Sequence, residues 1–157
     1  MPIKSKNIFK NFYLVFKKIG FGNIKVGPIV KSFFNAELTT VVDGDKLMKY
    51  LAAVDGNHPD IIFLDINMPR KDGKTCLKEI REIEELKKVP VIMFSTSSHP
   101  TDIAETFKNG ANLYISKSNF YNGQVKIPKN IFALNWQEEL LKQDKNRFIL
   151  HTRNGFM

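Results

Sequence analysis

Short apolar runs that alternate with segments of helical period restrict this chain more than any other feature of its sequence. Glu37 to Val42 is short and β-branched, and Leu113 to Ser116 has a similar character. Ile61 to Leu64 and Val91 to Phe94 are apolar at every position, as strands buried on both faces should be. Between them, Lys46 to Ala53 sets Leu47, Tyr50 and Leu51 at helical spacing. Lys74 to Leu86 puts Leu77, Ile80, Ile83 and Leu86 on one stripe, with Lys78–Glu82 and Arg81–Glu85 as i,i+4 pairs on the solvated side. Thr101 to Lys108 is a third helix, stopped by Asn109-Gly110. Gly44 is expected to close a turn, and Asp72-Gly73 to end the loop that starts at Asn67. Strands alternating with helices predict an α/β, doubly wound parallel sheet.

Composition narrows the function classes. At 157 residues, 43% of them hydrophobic, the chain is one domain with a real core. The apolar run Phe12 to Phe16 is far short of the ~20 residues that span a bilayer, so a cytoplasmic protein is expected. Its single cysteine, Cys76, cannot form an internal disulfide and reads as a small core or boundary residue beside Leu77. His58, His99 and His151 are too scattered for a metal site.

The net charge of +8 lies almost entirely at one end. Residues 1–36 hold seven lysines and no acid, whereas the remainder carries 17 basic and 16 acidic side chains. Lysines among aromatic residues could bind RNA or an anionic membrane. Gly27-Pro28 interrupts any long amphipathic helix there, and the apolar residues serve equally as a first strand and helix. Neither a nucleic-acid nor a membrane partner is expected.

Ligands of parallel α/β sheets gather at the carboxyl ends of the strands. Asp65, Ser95 and Lys117 each fall at or just past such an end. Taken singly, they are a cap residue, a strand-end polar group and a solvated cation. Together they make a coherent set for phosphoryl transfer: a carboxylate to accept the group, a hydroxyl donor and an ammonium to meet its oxygens.

The stretch Pro59-Asp60-Ile61-Ile62-Phe63-Leu64-Asp65-Ile66-Asn67-Met68-Pro69, with Asp72-Gly73, resembles the phosphoacceptor region of response regulator receiver domains, the CheY-like family. Pro90 to Thr96 is similar to that family's fourth strand, and Gly110 to Lys117 to its fifth, with an aromatic residue at Tyr114. The resemblance covers roughly residues 36–118 and implies a five-stranded, flavodoxin-like sheet of order 2-1-3-4-5. It implies a receiver at 36–143, a divergent basic segment at 1–35 that could supply its first strand and helix, and a tail at 144–157. Asp65 would be phosphorylated by a sensor histidine kinase or phosphotransfer protein. Ser95 would bind the phosphoryl group and draw its loop inward, Tyr114 would change rotamer, and Lys117 would pair with a phosphoryl oxygen. The backbone carbonyl of Asn67, with Asp65, would face Mg²⁺. The implied protein is a stand-alone, non-enzymatic switch acting on a downstream protein target through the face built by residues 101–108 and 113–116.

Two positions depart from that pattern. Ser118 stands where the family has a proline, and the acidic pair that holds Mg²⁺ after the first strand is missing. The candidate first strand, Tyr13 to Phe16, runs instead into Lys17-Lys18, and no acid precedes Glu37. Weak or absent Mg²⁺ binding is expected, either with slow phosphorylation or with a lysine neutralising Asp65. The alternatives are a phosphorylation-independent receiver serving as a protein-interaction module, or a displaced reading frame upstream of Asn35.

Overall fold

The computed structural model describes residues 11–15, 37–59, 61–116 and 148. Five parallel strands, β1 (Asn11–Val15), β2 (Glu37–Val41), β3 (Ile61–Leu64), β4 (Val91–Ser95) and β5 (Leu113–Ser116), form one sheet of order β2-β1-β3-β4-β5. That is the order expected from the sequence. β1 starts two residues before the Tyr13 to Phe16 run, and the register sets its last residue, Val15, beside both Val41 and Leu64. Lys17, Lys18, Gly27-Pro28, Ser118, His151 and the helical pattern from Ile131 to Leu141 lie outside the described residues.

Among the described residues three α-helices flank the strands: α1 (Gly44–Ala53), α2 (Gly73–Glu82) and α3 (Pro100–Lys108). The two Asp-Gly pairs are helix starts rather than turn closures, which corrects the sequence reading. Asp43 Oδ1 accepts the Lys46 N–H at 2.8 Å, and Asp72 Oδ1 accepts the Thr75 N–H at 2.8 Å, each relieving an orphan donor of a first helical turn. Glycine follows each cap because the chain crowds there. A Cβ on Gly44 would lie 2.2 Å from the Lys71 carbonyl oxygen.

Every residue of β3, β4 and β5 is buried. Leu47 and Leu51 of α1 and Cys76, Leu77 and Ile80 of α2 join one core with Ile62, Leu64, Val91 and Met93. Cys76 is fully buried, as its sequence context suggested, and burial pushes its thiol up to about 12. Phe148, from the stretch assigned to a tail, is buried as well. Its carbonyl accepts the Tyr114 N–H at 2.7 Å, and its ring meets Phe107 edge-on at 5.0 Å.

The stripe from Lys74 to Leu86 is not one helix. Ile83 is extended (ψ 118°), and a 3-10 turn, Glu84–Leu86, follows it. Arg81, two residues before the break, does not form the expected surface pair with Glu85. Its guanidinium turns inward, donating to the carbonyls of Gly110 (2.9 Å), Leu86 (3.0 Å) and Val89 (2.9 Å) and to Asn112 Oδ1 (2.9 Å). One planar fork with fixed donors thus ties the turn after α2, at Leu86 and Val89, to the stretch before β5, at Gly110 and Asn112. Burial lowers its pKa to about 10, so it stays charged at neutral pH. Lys78 likewise reaches across to α3, 3.8 Å from Glu105.

Replacing Arg81 with Met keeps the aliphatic stem but takes its donor from the Gly110 and Val89 carbonyls, while Leu86 O and Asn112 Oδ1 keep the Val89 and Val91 N–H groups. Urea unfolding of Arg81→Met should show a loss of about 2–4 kcal/mol.

Candidate functional site

β3 and β4 deliver two polar residues to the carboxyl edge of the sheet. Leu64 is in register with Met93, so Asp65, one step beyond β3, lies beside Phe94 and one residue short of Ser95. Ser95 closes β4 opposite Ser116 of β5. Asp65 is 3% exposed and Ser95 0%, although both follow runs of purely apolar residues. Lys117, the third member of the predicted set, lies outside the described residues.

The backbone after β3 is built around Asp65. Its Oδ1 accepts the Asn67 N–H at 3.0 Å, which fixes the carboxylate in a tight turn. The Gly73 N–H then donates to the Ile66 carbonyl at 2.9 Å, folding the loop back under Asp65. A Cβ on Gly73 would sit 2.0 Å from the Asp65 carbonyl oxygen, so only glycine lets α2 start so close. Asn67 is exposed, and its amide Nδ2 reaches Thr96 Oγ1 across the mouth at 3.4 Å.

The loop after β4 is held from several sides. Ser95 Oγ accepts the Ser97 N–H at 3.2 Å, and the Tyr114 hydroxyl donates to the Ser97 carbonyl at 2.7 Å. The Tyr114 ring is turned inward, 1% exposed. Burial raises its phenol above the ordinary value, while hydrogen bonding to Ser95 and Ser97 pulls the other way and the Asp65 charge adds to the rise. The bond to Ser97 ties Tyr114 to the loop that follows Ser95. The Ser97 hydroxyl donates to Asp102 in the first turn of α3. Lys74 Nζ on α2 lies 2.6 Å from Asp102 and 2.7 Å from Glu105. The hydrogen bond to Lys74 first, then that to Ser97, hold the Asp102 carboxyl below its ordinary value. Ser97, Asp102 and Lys74 were missed from the sequence, because nothing in a linear pattern joins positions so far apart.

The donor set fits Mg²⁺ only loosely. The candidate donors are the Asp65 carboxylate and, from the family resemblance, the Asn67 backbone carbonyl, whereas Mg²⁺ wants six oxygens and tolerates several waters. Among the described residues no group of three His, Cys, Asp or Glu side chains comes together to hold a metal ion. Asp43 is buried at the end of β2, two strands from β3. It is committed to capping α1 and lies 3.9 Å from Arg70. Among the described residues no helix is long and apolar enough to cross a membrane.

A parallel sheet of this order, with a buried carboxylate and hydroxyl on adjacent strand ends, defines a receiver-type α/β domain. The sequence profile of the response regulator receiver domain matches residues 25–123. The chain is 31% identical over 111 residues to the response regulator Rcp1 of Synechocystis, spanning 68% of this chain and 75% of that protein. The Mn²⁺-bound crystal structure of Rcp1 superposes with a TM-score of 0.57 at 25% identity, covering 82% of this chain and 90% of that one. The phosphorylated cyanobacterial phytochrome response regulator RcpA gives 0.57 at 27% identity, over 87% and 96%. A protein-glutamate methylesterase of Vibrio cholerae is 38% identical over 78 residues, 47% of this chain but 19% of that protein. The chain belongs to the response regulator receiver domain family and so to two-component signalling.

Two measurements check this geometry. Gly73→Ala should lose about 1–3 kcal/mol in denaturant unfolding, because the added methyl overlaps the Asp65 peptide. Asp102 is ionised in the fold below its ordinary value of 3.8, so its contribution is complete above that value and disappears as pH falls through the depressed one. The unfolding free-energy difference between wild type and Asp102→Asn should therefore be flat above about pH 5 and shrink in stronger acid.

Proposed function

We propose that this receiver accepts a phosphoryl group on Asp65 from a sensor histidine kinase or phosphotransfer protein and thereby changes its affinity for a downstream protein. The observation that carries the reading is the pairing of Asp65 with Ser95 on adjacent strand ends, both closed off from bulk water. A carboxylate oxygen of Asp65 attacks phosphorus, the bond from phosphorus to the donor nitrogen breaks, and an acyl phosphate forms. The donor's imidazole leaves with the electron pair of that bond. Ser95 donates its hydroxyl proton as a hydrogen bond to one phosphoryl oxygen, and Lys117 meets another with its ammonium. Tyr114 responds to the Ser95 loop through its bond to Ser97.

A divalent cation, when bound beside Asp65 and the Asn67 carbonyl, neutralises charge on the transferring group. With no acid before Glu37, that cation is held weakly and acceptance of phosphate is slow. The functional unit runs over residues 36–143, with the basic segment 1–35 supplying the first strand. The tail, 144–157, is anchored at Phe148. The downstream partner reads the face around α3 and β5, next to the Ser95 loop.

Incubation with a small acyl-phosphate donor tests the reading. Intact mass should reveal slow gain of one phosphoryl group, little changed by Mg²⁺ and abolished in Asp65→Asn. Rapid, strongly Mg²⁺-dependent labelling would sink the weak-metal part. No labelling of the wild type, even at long times, would leave a phosphorylation-independent interaction module as the function.

A further inference from the structure

The loop between β4 and α3 carries the hydroxyl that meets the phosphoryl group, and Ser97 is where the protein grips that loop. Ser97 uses every polar group it has. Its N–H donates to Ser95 Oγ, its carbonyl accepts from the Tyr114 hydroxyl, and its own hydroxyl donates to Asp102. The His99 N–H adds a bond to Ser97 Oγ at 3.3 Å. Asp102 is gripped in turn by Lys74, which lies on a different helix and also binds Glu105. An Asp in the first turn of α3 would complement the helix dipole without any lysine. That ordinary role leaves unexplained why Lys74 spans from α2 to the same carboxylate that holds Ser97.

The hydrogen-bond polarity along this chain is one-way. Lys74 can only donate and an ionised Asp102 can only accept, so the Ser97 hydroxyl is fixed as a donor. The Ser97 N–H is a donor whatever that hydroxyl does, so what the anchored hydroxyl fixes is the place of the amide, which occupies one lone pair of Ser95 Oγ and directs the Ser95 proton away from it. A phosphoryl oxygen is purely an acceptor and needs that proton. Ser95 is fully buried, so bulk water does not compete for it.

We infer that Lys74, Asp102 and Ser97 form a positioning chain that holds the Ser97 amide on Ser95 Oγ and thereby orients that hydroxyl, so that the contact between α2 and α3 sets how well the site engages a phosphoryl group. The inference rests on the acceptor role of Asp65. Preorganised donors are effective because their orientation cost is met in folding rather than during the reaction. Lys74 and Asp102 touch no reacting atom and act only through Ser97. The Lys74–Asp102–Glu105 cluster is partly sheltered, which limits its screening by salt.

Two readouts on the full chain test the idea, using Lys74→Met, Lys74→Arg and Asp102→Asn. In Lys74→Met and Asp102→Asn, amide hydrogen exchange of Ser97 should quicken roughly tenfold while Met93 in β4 and Ile80 in α2 keep wild-type rates. Labelling of Asp65 by the acyl-phosphate donor should slow about threefold to tenfold in the same variants, and Lys74→Arg should restore both values to within about twofold. Unchanged Ser97 exchange in Lys74→Met overturns the inference, as does faster exchange with unaltered labelling. A general rise that includes Met93 and Ile80 also overturns it, since Lys74 would then be a plain stability clamp. If the wild type takes up no label, the acceptor role of Asp65 fails instead. Ser97 exchange alone then decides whether the chain holds the loop.

Discussion

Parallel pairing along β3, β4 and β5 is the constraint from which the site follows. Parallel strands end on the same side, so any polar residue placed after each apolar run arrives at one edge. The register from Phe63–Ile92 and Leu64–Met93 through Ser95–Ser116 spaces those arrivals by single residues. A slip of one residue would turn each buried side chain toward the opposite face and separate Asp65 from Ser95. The uniformly apolar composition of β3 resists such a slip less than an alternating strand would. The loops therefore carry part of the specification. The Gly73 start of α2 under the Asp65 peptide and the Asn67 N–H on its carboxylate allow one position only.

How legible these features were depended on the distance over which each is encoded. β3 matches its sequence run residue for residue, because four apolar positions between turn signals admit little else, and β5 matches the Leu113 to Ser116 run as well. Sheet order came from family resemblance rather than periodicity, and the strand pairings agree with it. Helix ends were harder. Asp43 and Asp72 look like turn residues until the Lys46 and Thr75 amides are seen on their carboxylates. Arg81 is the clearest failure of local reasoning. Its spacing to Glu85 suits a surface pair, yet the acceptors it serves at Gly110 and Asn112 come from near β5. No window of neighbouring residues contains that information.

The candidate site divides in the same way. Asp65 and Ser95 were placed together because each lies at the end of a recognisable strand, and Tyr114 was singled out only through the family resemblance. Ser97, Asp102 and Lys74 were not: the Ser97–Asp102 bond is local but carries no pattern of its own, and Lys74 meets Asp102 only once α2 and α3 pack together. Polar groups at strand ends thus announce chemistry, while the groups that orient them are scattered by the fold. The lysine-rich first 36 residues add an inverse lesson. A backbone can supply β1 in the correct register while its sequence omits the acids usually found beyond that strand.

The thiol of Cys76 lies under the Gly44 carbonyl, 3.7 Å away, sealed between α1 and α2. Alkylating reagents need a thiolate and a path to it, and the fold withholds both. Modification must wait until those two helices part, so its rate is a clock for that opening. Because the sequence has no other cysteine, a probe attached at an engineered surface cysteine would be read against a silent native background.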